Sequence, residues 1–419
     1  MTGGARRAAA ILVTPVLLAA GTACGFADRS AAAADPNTIE LLAPTYRDGP
    51  SGTKTSWDRV IAGFEAGHPG LRVRLHLESW AAMGDVVRTS LQSPRTTPDL
   101  VNFDNFAGFA RDGLLYRAAD VISGERLADF QPGLARNATI DGVQYALPIL
   151  ASTRTLFVNL DLMHRAGVAA PPRTWQDLLD AARRIGALGG DISGYGLPLA
   201  GEGAQTETSI WTFGAGGRWD DGRALTIDTP ANLAGLAQMK AMVDAGATEP
   251  NPGSTGRKDV INAFVQGRIG MIEGLPSTIG QIARQNPGLR YATSASPTKT
   301  GSPMSIAVAD QLMAFVKDGR KRGTITAFLD YLYAPAVYSR FVAAEGFLPA
   351  TVSATAALRD DPVVRVFGPP LATSRFYPVA NPKWVAAQAA IQRSVGAIAM
   401  GSRPEDVLGR IARTTEHSR

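Results

Sequence analysis

The sequence is poor in the residues that most enzymes and metal proteins depend on. It contains one cysteine, Cys24, among 419 residues, so no intramolecular disulfide and no cysteine-based metal site can form. Its four histidines, His68, His76, His164 and His417, show no ligand spacing, which argues against a metal enzyme. No GxSxG, HExxH or P-loop pattern is present, and no cofactor is expected. No internal repeat is visible. The formal net charge is only +5, and two of those cations, Arg6 and Arg7, fall in a segment expected to be removed. That excess is too small to point to nucleic acid. The densest basic cluster, Arg320-Lys321-Arg322, reads as a solvated turn ahead of a helix. Apolar and charged fractions are ordinary for a globular chain, and the length suits two or three domain-sized units.

The first residues read as an export signal. Arg6-Arg7 forms a basic start, and Ala8 to Ala20 an apolar core too short, and too interrupted by Pro15, to span a membrane. Gly21-Thr22-Ala23-Cys24 resembles the lipobox of bacterial lipoproteins, with Gly21 where that pattern usually has leucine. The expectation is a signal peptide over 1–23, lipidation of Cys24 and a tether over 24–36. The protein would then sit on the outer face of the cytoplasmic membrane.

The remaining chain alternates strand and helix patterns. Ile39, Leu41 and Leu42 suggest a strand ending at Pro44. Trp57, Val60, Ile61 and Phe64 repeat at helical spacing up to His68-Pro69-Gly70. Leu71, Val73, Leu75 and Leu77 alternate with Arg72, Arg74, His76 and Glu78, which predicts a strand. Further strands are predicted at Leu100–Val101, Tyr145–Leu150, Thr155–Val158, Tyr195–Leu199, Ile269–Ile272 and Ile306–Val316, the last interrupted at Ala309-Asp310-Gln311. Thr174 with Asp177 predicts a capped helix start, and Thr229-Pro230 another. This alternation predicts an α/β architecture with helices on the sheet faces. The polar trio Ser152-Thr153-Arg154 between two buried strands has two readings. It either bonds neighbouring backbone, or it lies in a crossover between two lobes with Ser152 and Arg154 facing a cleft.

An ordered series of short motifs resembles the extracellular solute-binding proteins of ABC importers, the branch that includes maltose-binding protein. Pro98-Asp99-Leu100-Val101 with Gly113-Leu114-Leu115 is similar to the family's first-lobe signature. Tyr145-Ala146-Leu147-Pro148, Phe157-Val158-Asn159 with Asp161, Ala166-Gly167 and Pro171-Pro172-Arg173-Thr174-Trp175 are similar to its central one. Phe264, Gly267, Gly270, Met271 and Gly274, then Ala327-Phe328-Leu329 and Gly346-Phe347-Leu348-Pro349, follow in order. The resemblance implies a two-lobe periplasmic-binding-protein fold, type II-like, with a multi-segment hinge. The expected division is 37–150 plus 300–337 for lobe 1, and 151–299 plus 338–419 for lobe 2.

The resemblance also implies cleft positions. Asp104 is placed like a sugar-binding aspartate, and Ser152 stands where the family often has a glutamate. Thr206, Glu207 and Trp211 fall in the matching second-lobe loop, and Asp310 and Gln311 at the break in a late strand. Gly274-Leu275-Pro276 replaces the usual Gly-Pro-Trp, which removes a stacking tryptophan and leaves Glu273 as a polar substitute. Sugar hydroxyls need carboxylate and amide partners, and sugar C–H faces need aromatic surfaces. The expected ligand-binding residues are therefore Tyr46, Trp80, Asp104, Ser152, Arg154, Thr206, Glu207, Trp211, Glu273, Asp310, Gln311 and Tyr377. For Asp104 the competing reading is a helix N-cap, and for Trp211 a core position.

The function implied is capture of a small solute, a mono- or oligosaccharide, by a monomeric carrier that delivers it to the transmembrane subunits of an ABC permease. No catalysis is implied. Two alternatives stand beside it: the same fold binding a cationic solute such as a polyamine, and a secreted glycoside hydrolase using a carboxylate pair such as Asp104 and Glu207.

Overall fold

The computed structural model describes residues 35–47, 52–317, 319–371 and 374–417. The expected export signal, Cys24 and nearly all of the tether lie outside the described residues. Among these, no helix is long and apolar enough to cross a membrane. Twelve strands follow in order: β1 (Thr38–Thr45), β2 (Arg72–Ser79), β3 (Leu100–Phe103), β4 (Thr139–Ile140), β5 (Val143–Gln144), β6 (Ala146–Thr153), β7 (Thr155–Asn159), β8 (Ser193–Gly196), β9 (Ile269–Gly274), β10 (Tyr291–Ser294), β11 (Ile306–Ala314) and β12 (Arg375–Phe376).

The strands form two main sheets. The first runs β12-β11-β3-β1-β2, with β6 on the other side of β11; the second runs β10-β7-β9-β8. In β1 every residue from Thr38 to Pro44 is buried, because helices cover both faces of the sheet. The strand runs on through Pro44, which sequence reading took as its end; Pro44 pairs in register with Glu78 of β2. The alternating charges of β2 now have a place. β2 is the sheet edge, and a row of charged side chains there discourages pairing with another chain.

Local sequence signals account for much of the helical layer. The helix Trp175–Gly186 begins with a full capping box: Thr174 Oγ1 accepts from Asp177 N at 3.1 Å, and Asp177 Oδ2 from Thr174 N at 3.0 Å. Leu178, Ala181, Ala182 and Ile185 form its buried stripe. Thr174→Ala is expected to lose about 1 kcal/mol of stability, read as a lower midpoint in urea unfolding with an unchanged slope. The helix Pro335–Glu345 ends where Gly346 takes φ +71°, a conformation that glycine adopts without the Cβ clash.

The two sheets are joined by three crossings. β6 in the first sheet passes through Arg154 into β7 of the second. The chain returns between β10 and β11, and leaves again after β12 for the helix Trp384–Ser394. At the joint the three segments lie side by side. Arg154 N donates to Ile306 O at 3.2 Å, Ser305 Oγ donates to Arg154 O at 2.8 Å, and Arg375 N donates to Ser305 O at 3.0 Å.

The expected division of the chain needs one correction. Residues 338–419 do not all lie with the second sheet. Tyr338 Oη donates to Ile149 O of β6 at 2.6 Å, Phe341 packs on Trp57 at 4.7 Å, and β12 pairs with β11. The stretch from the helix Pro335–Glu345 through β12 thus belongs with the first sheet, and only the chain after it joins the second. A second correction concerns Arg320-Lys321-Arg322. Lys321 is 7% exposed, and its ammonium lies 3.0 Å from the buried carboxylate of Asp99, so it is interior rather than solvated.

Candidate functional site

β1, β2 and β3 run parallel, so their carboxyl ends share one edge of the first sheet, the edge where open α/β sheets place ligands. Tyr46 follows β1, Trp80 follows β2 and Asp104 follows β3. The Tyr46 and Trp80 rings meet edge to face at 5.7 Å. Phe347 closes on Tyr46 at 5.3 Å, and Phe103 on Trp80 at 6.1 Å. The result is an aromatic wall of four rings, of which sequence reading named two. Phe347 was visible only as part of a motif.

Asp310 reaches the same edge through an irregularity. In the β11–β6 ladder Asp310 pairs with Leu150 but Gln311 pairs with Pro148, so Ile149 is left over as a bulge on β6. Pro148 has no N–H to give, and a bulge is how a strand absorbs that loss. β11 itself runs unbroken from Ile306 to Ala314, so the interruption expected at Ala309-Asp310-Gln311 is not found there, and the irregularity sits on the opposite strand. Successive residues of a strand face opposite sides. Asp310 is half-buried beside Asp104, whereas Gln311 is fully buried and donates toward Asn137 Oδ1 at 3.5 Å.

The second sheet contributes Glu273 at the end of β9 and Glu207 on the helix Ala204–Gly214. This stretch was expected to be a loop. It is a helix buried on every side, so it carries no amphipathic stripe that would have revealed it. Glu207 Oε1 accepts from Tyr195 Oη at 2.7 Å and from Trp211 Nε1 at 3.0 Å. Trp211 is 2% exposed and packs on Trp175 at 5.7 Å, so it is a core residue that orients Glu207 and offers no ring to a ligand. Glu273 Oε2 accepts from Ser296 Oγ at 2.8 Å. Tyr377 stacks on Trp384 at 5.2 Å and donates to Thr206 Oγ1 at 2.7 Å.

Arg154 stands at the crossing between the two sheets. Its Nη1 donates to Ser152 Oγ at 2.9 Å, and its buried Nε has no hydrogen-bond partner. The trio lies at the passage between the two sheets, and its side chains bond each other and neighbouring backbone, as the first reading expects. Burial lowers the guanidinium to about 10. Its positive charge acts on Glu207, Glu273 and Asp310, which come from both sheets.

The buried carboxyl groups contributed by the two lobes are pushed upward. Burial raises Asp104 to about 6, against hydrogen bonds from Gln388 and Asn105. Burial and the charge of Asp104 raise Asp310 to about 7. Burial raises Glu207 to about 7, and burial with the charge of Glu207 raises Glu273 to about 8. Glu249, which accepts from Leu197 N at 2.8 Å, also rises to about 7 through burial. Asp104 does not cap the helix Ala107–Arg111, whose start has no side-chain cap. It accepts from Asn105 Nδ2 at 3.0 Å, and that amide also reaches Gln388 at 3.4 Å. Ser296, Glu249 and Gln388 escaped sequence reading, and Tyr195 and Phe347 were read only as parts of a strand and a motif, because tertiary packing alone makes them neighbours of the acids and the wall. Among the described residues no group of three or more His, Cys, Asp or Glu could hold a metal ion.

The two α/β lobes and their triple crossing agree with what the sequence itself matches. The profile of the bacterial extracellular solute-binding protein family aligns with residues 49–338. The chain belongs to that family. This solute-binding protein is 29% identical over 328 residues to a binding protein of Brucella abortus, an alignment covering 76% of this chain and 77% of the relative. It is 23% identical to the diacetylchitobiose binding protein DasA of Streptomyces coelicolor, covering 90% of each chain. Its fold matches that of a solute-binding protein from Thermotoga lettingae crystallised with α-D-tagatose. The TM-score is 0.78 at 23% identity, over 90% of this chain and 98% of that one.

Proposed function

We propose that the chain captures a mono- or oligosaccharide between its lobes and delivers it to the membrane permease of an ABC importer. The observation that carries this reading is the set of raised acids contributed by both lobes. Asp104 and Asp310 come from one lobe, Glu207 and Glu273 from the other, and the Tyr46–Trp80 wall stands at the first lobe's edge. Carboxyl groups with hydroxyl and amide neighbours suit the mixed donor–acceptor surface of a sugar. Flat rings suit its C–H faces. The names of two similar proteins, which bind diacetylchitobiose and tagatose, support the same ligand class. In this reading the open form loads on one lobe, the lobes rotate, and contacts to both lobes supply the differential affinity that closure requires. Lipidation at Cys24 would hold the protein at the outer membrane face near its permease.

A second reading, a cationic solute such as a polyamine, is favoured by four raised acids, Asp104, Asp310, Glu207 and Glu273, against two guanidinium groups, Arg154 and Arg257. One screen decides between them. A ligand at 100 times its dissociation constant stabilises by about 2.7 kcal/mol. A carbohydrate is expected to raise the melting temperature while spermidine and putrescine leave it unchanged. Stoichiometric binding without product on prolonged incubation would separate a carrier from a glycoside hydrolase. A shift with the amines alone would end the sugar reading.

A further inference from the structure

Glu345 is the last residue of the helix Pro335–Glu345 and is fully buried. Three features make it unfavourable there. Its carboxyl lies at the negative end of the helix dipole. No ion pair reaches it among the described residues, and its Oε1 has no hydrogen-bond partner. A leucine would be expected to suit the position better if packing were its only task.

Its one hydrogen bond is directed at the interlobe edge. Thr53 Oγ1 donates to Glu345 Oε2 at 2.8 Å, and the same oxygen accepts from Tyr46 N at 3.0 Å and from Arg47 N at 3.0 Å. A hydroxyl has one proton and two lone pairs, and all three are used. Donation to Glu345 fixes the hydroxyl so that its lone pairs face those two amides, and it strengthens both bonds by polarising the oxygen. The other end of Tyr46 is also held. Its Oη donates to Asn102 Oδ1 at 3.0 Å, and Asn102 Nδ2 donates to Gln311 O at 3.2 Å, beside Asp310. Phe347, two residues after Glu345, meets the Tyr46 ring.

We propose that Glu345 is a positioning residue for ligand capture, acting through the Thr53 hydroxyl to hold the Tyr46–Arg47 corner and so the aromatic wall. The proposal rests on the reading that Tyr46 borders the ligand. Glu345 touches no ligand itself; it sets the backbone from which Tyr46 is presented. Charge is not what the position requires. It requires an acceptor for one hydroxyl proton.

The test uses the full chain with Glu345→Leu, Glu345→Gln and Thr53→Val. Hydrogen exchange at the Tyr46 and Arg47 amides, measured without ligand, is expected to quicken about five- to tenfold in Glu345→Leu and Thr53→Val, as one hydrogen-bond acceptor is lost or set free to turn. Glu345→Gln keeps an acceptor oxygen and is expected to restore protection. Glu345→Leu should unfold at a modestly lower urea concentration than Glu345→Gln, since it leaves the buried Thr53 hydroxyl without an acceptor, while its affinity for diacetylchitobiose or α-D-tagatose falls. Unchanged exchange at these two amides in Glu345→Leu would overturn the proposal. So would a drop in unfolding midpoint in both Glu345 variants with faster exchange throughout the first lobe. If neither sugar binds the parent protein, the carbohydrate reading fails, while the exchange result still decides the role of Glu345.

Discussion

Asp99→Ala is expected to lose about 3–5 kcal/mol of stability, because it leaves buried charge without a partner. Asp99 is 1% exposed. Its Oδ1 lies 2.7 Å from Lys317 Nζ, and its Oδ2 lies 3.0 Å from Lys321 Nζ and accepts from Glu40 N at 2.8 Å. Two ammonium groups and a backbone N–H of β1 therefore converge on one carboxylate. The Lys317 side chain is 19% exposed and that of Lys321 only 9%, so Lys321 is the harder of the two to hydrate. Removing the carboxylate strands Lys321 in the interior and leaves the Glu40 N–H unpaired. Urea unfolding should show the midpoint falling with little change in slope. Combining Asp99→Leu with Lys321→Met should restore part of the loss, since replacing both partners by apolar groups removes the stranded charge. A loss below about 1 kcal/mol in Asp99→Ala would mean that water or rearranged side chains solvate Lys321, and the buried triad would have to be abandoned.

The second large effect is on pH dependence. Asp310 and Glu207 are held at about 7, and Glu273 at about 8, all above ordinary carboxyl values and chiefly through burial. An acid whose native value is raised binds its proton more tightly folded than unfolded. The stability it contributes is present at low pH and is lost as pH rises through the folded value. The unliganded protein should thus lose stability between about pH 5 and 8. The lowered acids do not oppose this, because Asp177 and Asp221 lie below their ordinary values and titrate under that window.

Ligand binding should reverse the slope. Hydroxyl donors bond more strongly to an ionised carboxylate, so binding favours proton release. Affinity should then rise with pH between 6 and 8, by up to about tenfold per pH unit for each proton released. Calorimetry in two buffers of different ionisation enthalpy would count the protons. Glu273→Gln should remove the part of the slope nearest pH 8. Affinity that falls with pH over this range would show that the ligand meets these groups protonated, and the assignment of the acids as acceptors would fail.

The reach of sequence reading followed the range of the interactions concerned. Elements whose signals are local came out well. The capping box at Thr174 and Asp177 rests on residues three positions apart, and it was visible. The passage through Arg154 was legible because polar residues between two buried strands are conspicuous. The bulge opposite Asp310 had no local signal, because the residue behind it, Pro148, lies on a strand more than a hundred residues away in the chain. The helix Ala204–Gly214 was misread because burial on all sides erases periodicity. The return of residues 338–376 to the first sheet had no local signature. It depends on Tyr338 reaching Ile149 and on β12 finding β11. The site divides in the same way: Tyr46, Trp80 and Asp104 could be placed from strand ends, whereas the shell that holds the acids, Tyr195, Ser296 and Gln388, could not.

The backbone passes between the halves three times, and those passages are laced edge to edge by the bonds among Arg154, Ser305, Ile306 and Arg375. Such a strap folds readily about the line across its width and resists twisting or sliding. A single cut in any one passage would leave the two halves covalently tethered by the other two, so nicked protein should still migrate as one particle under native conditions and separate into fragments only when denatured.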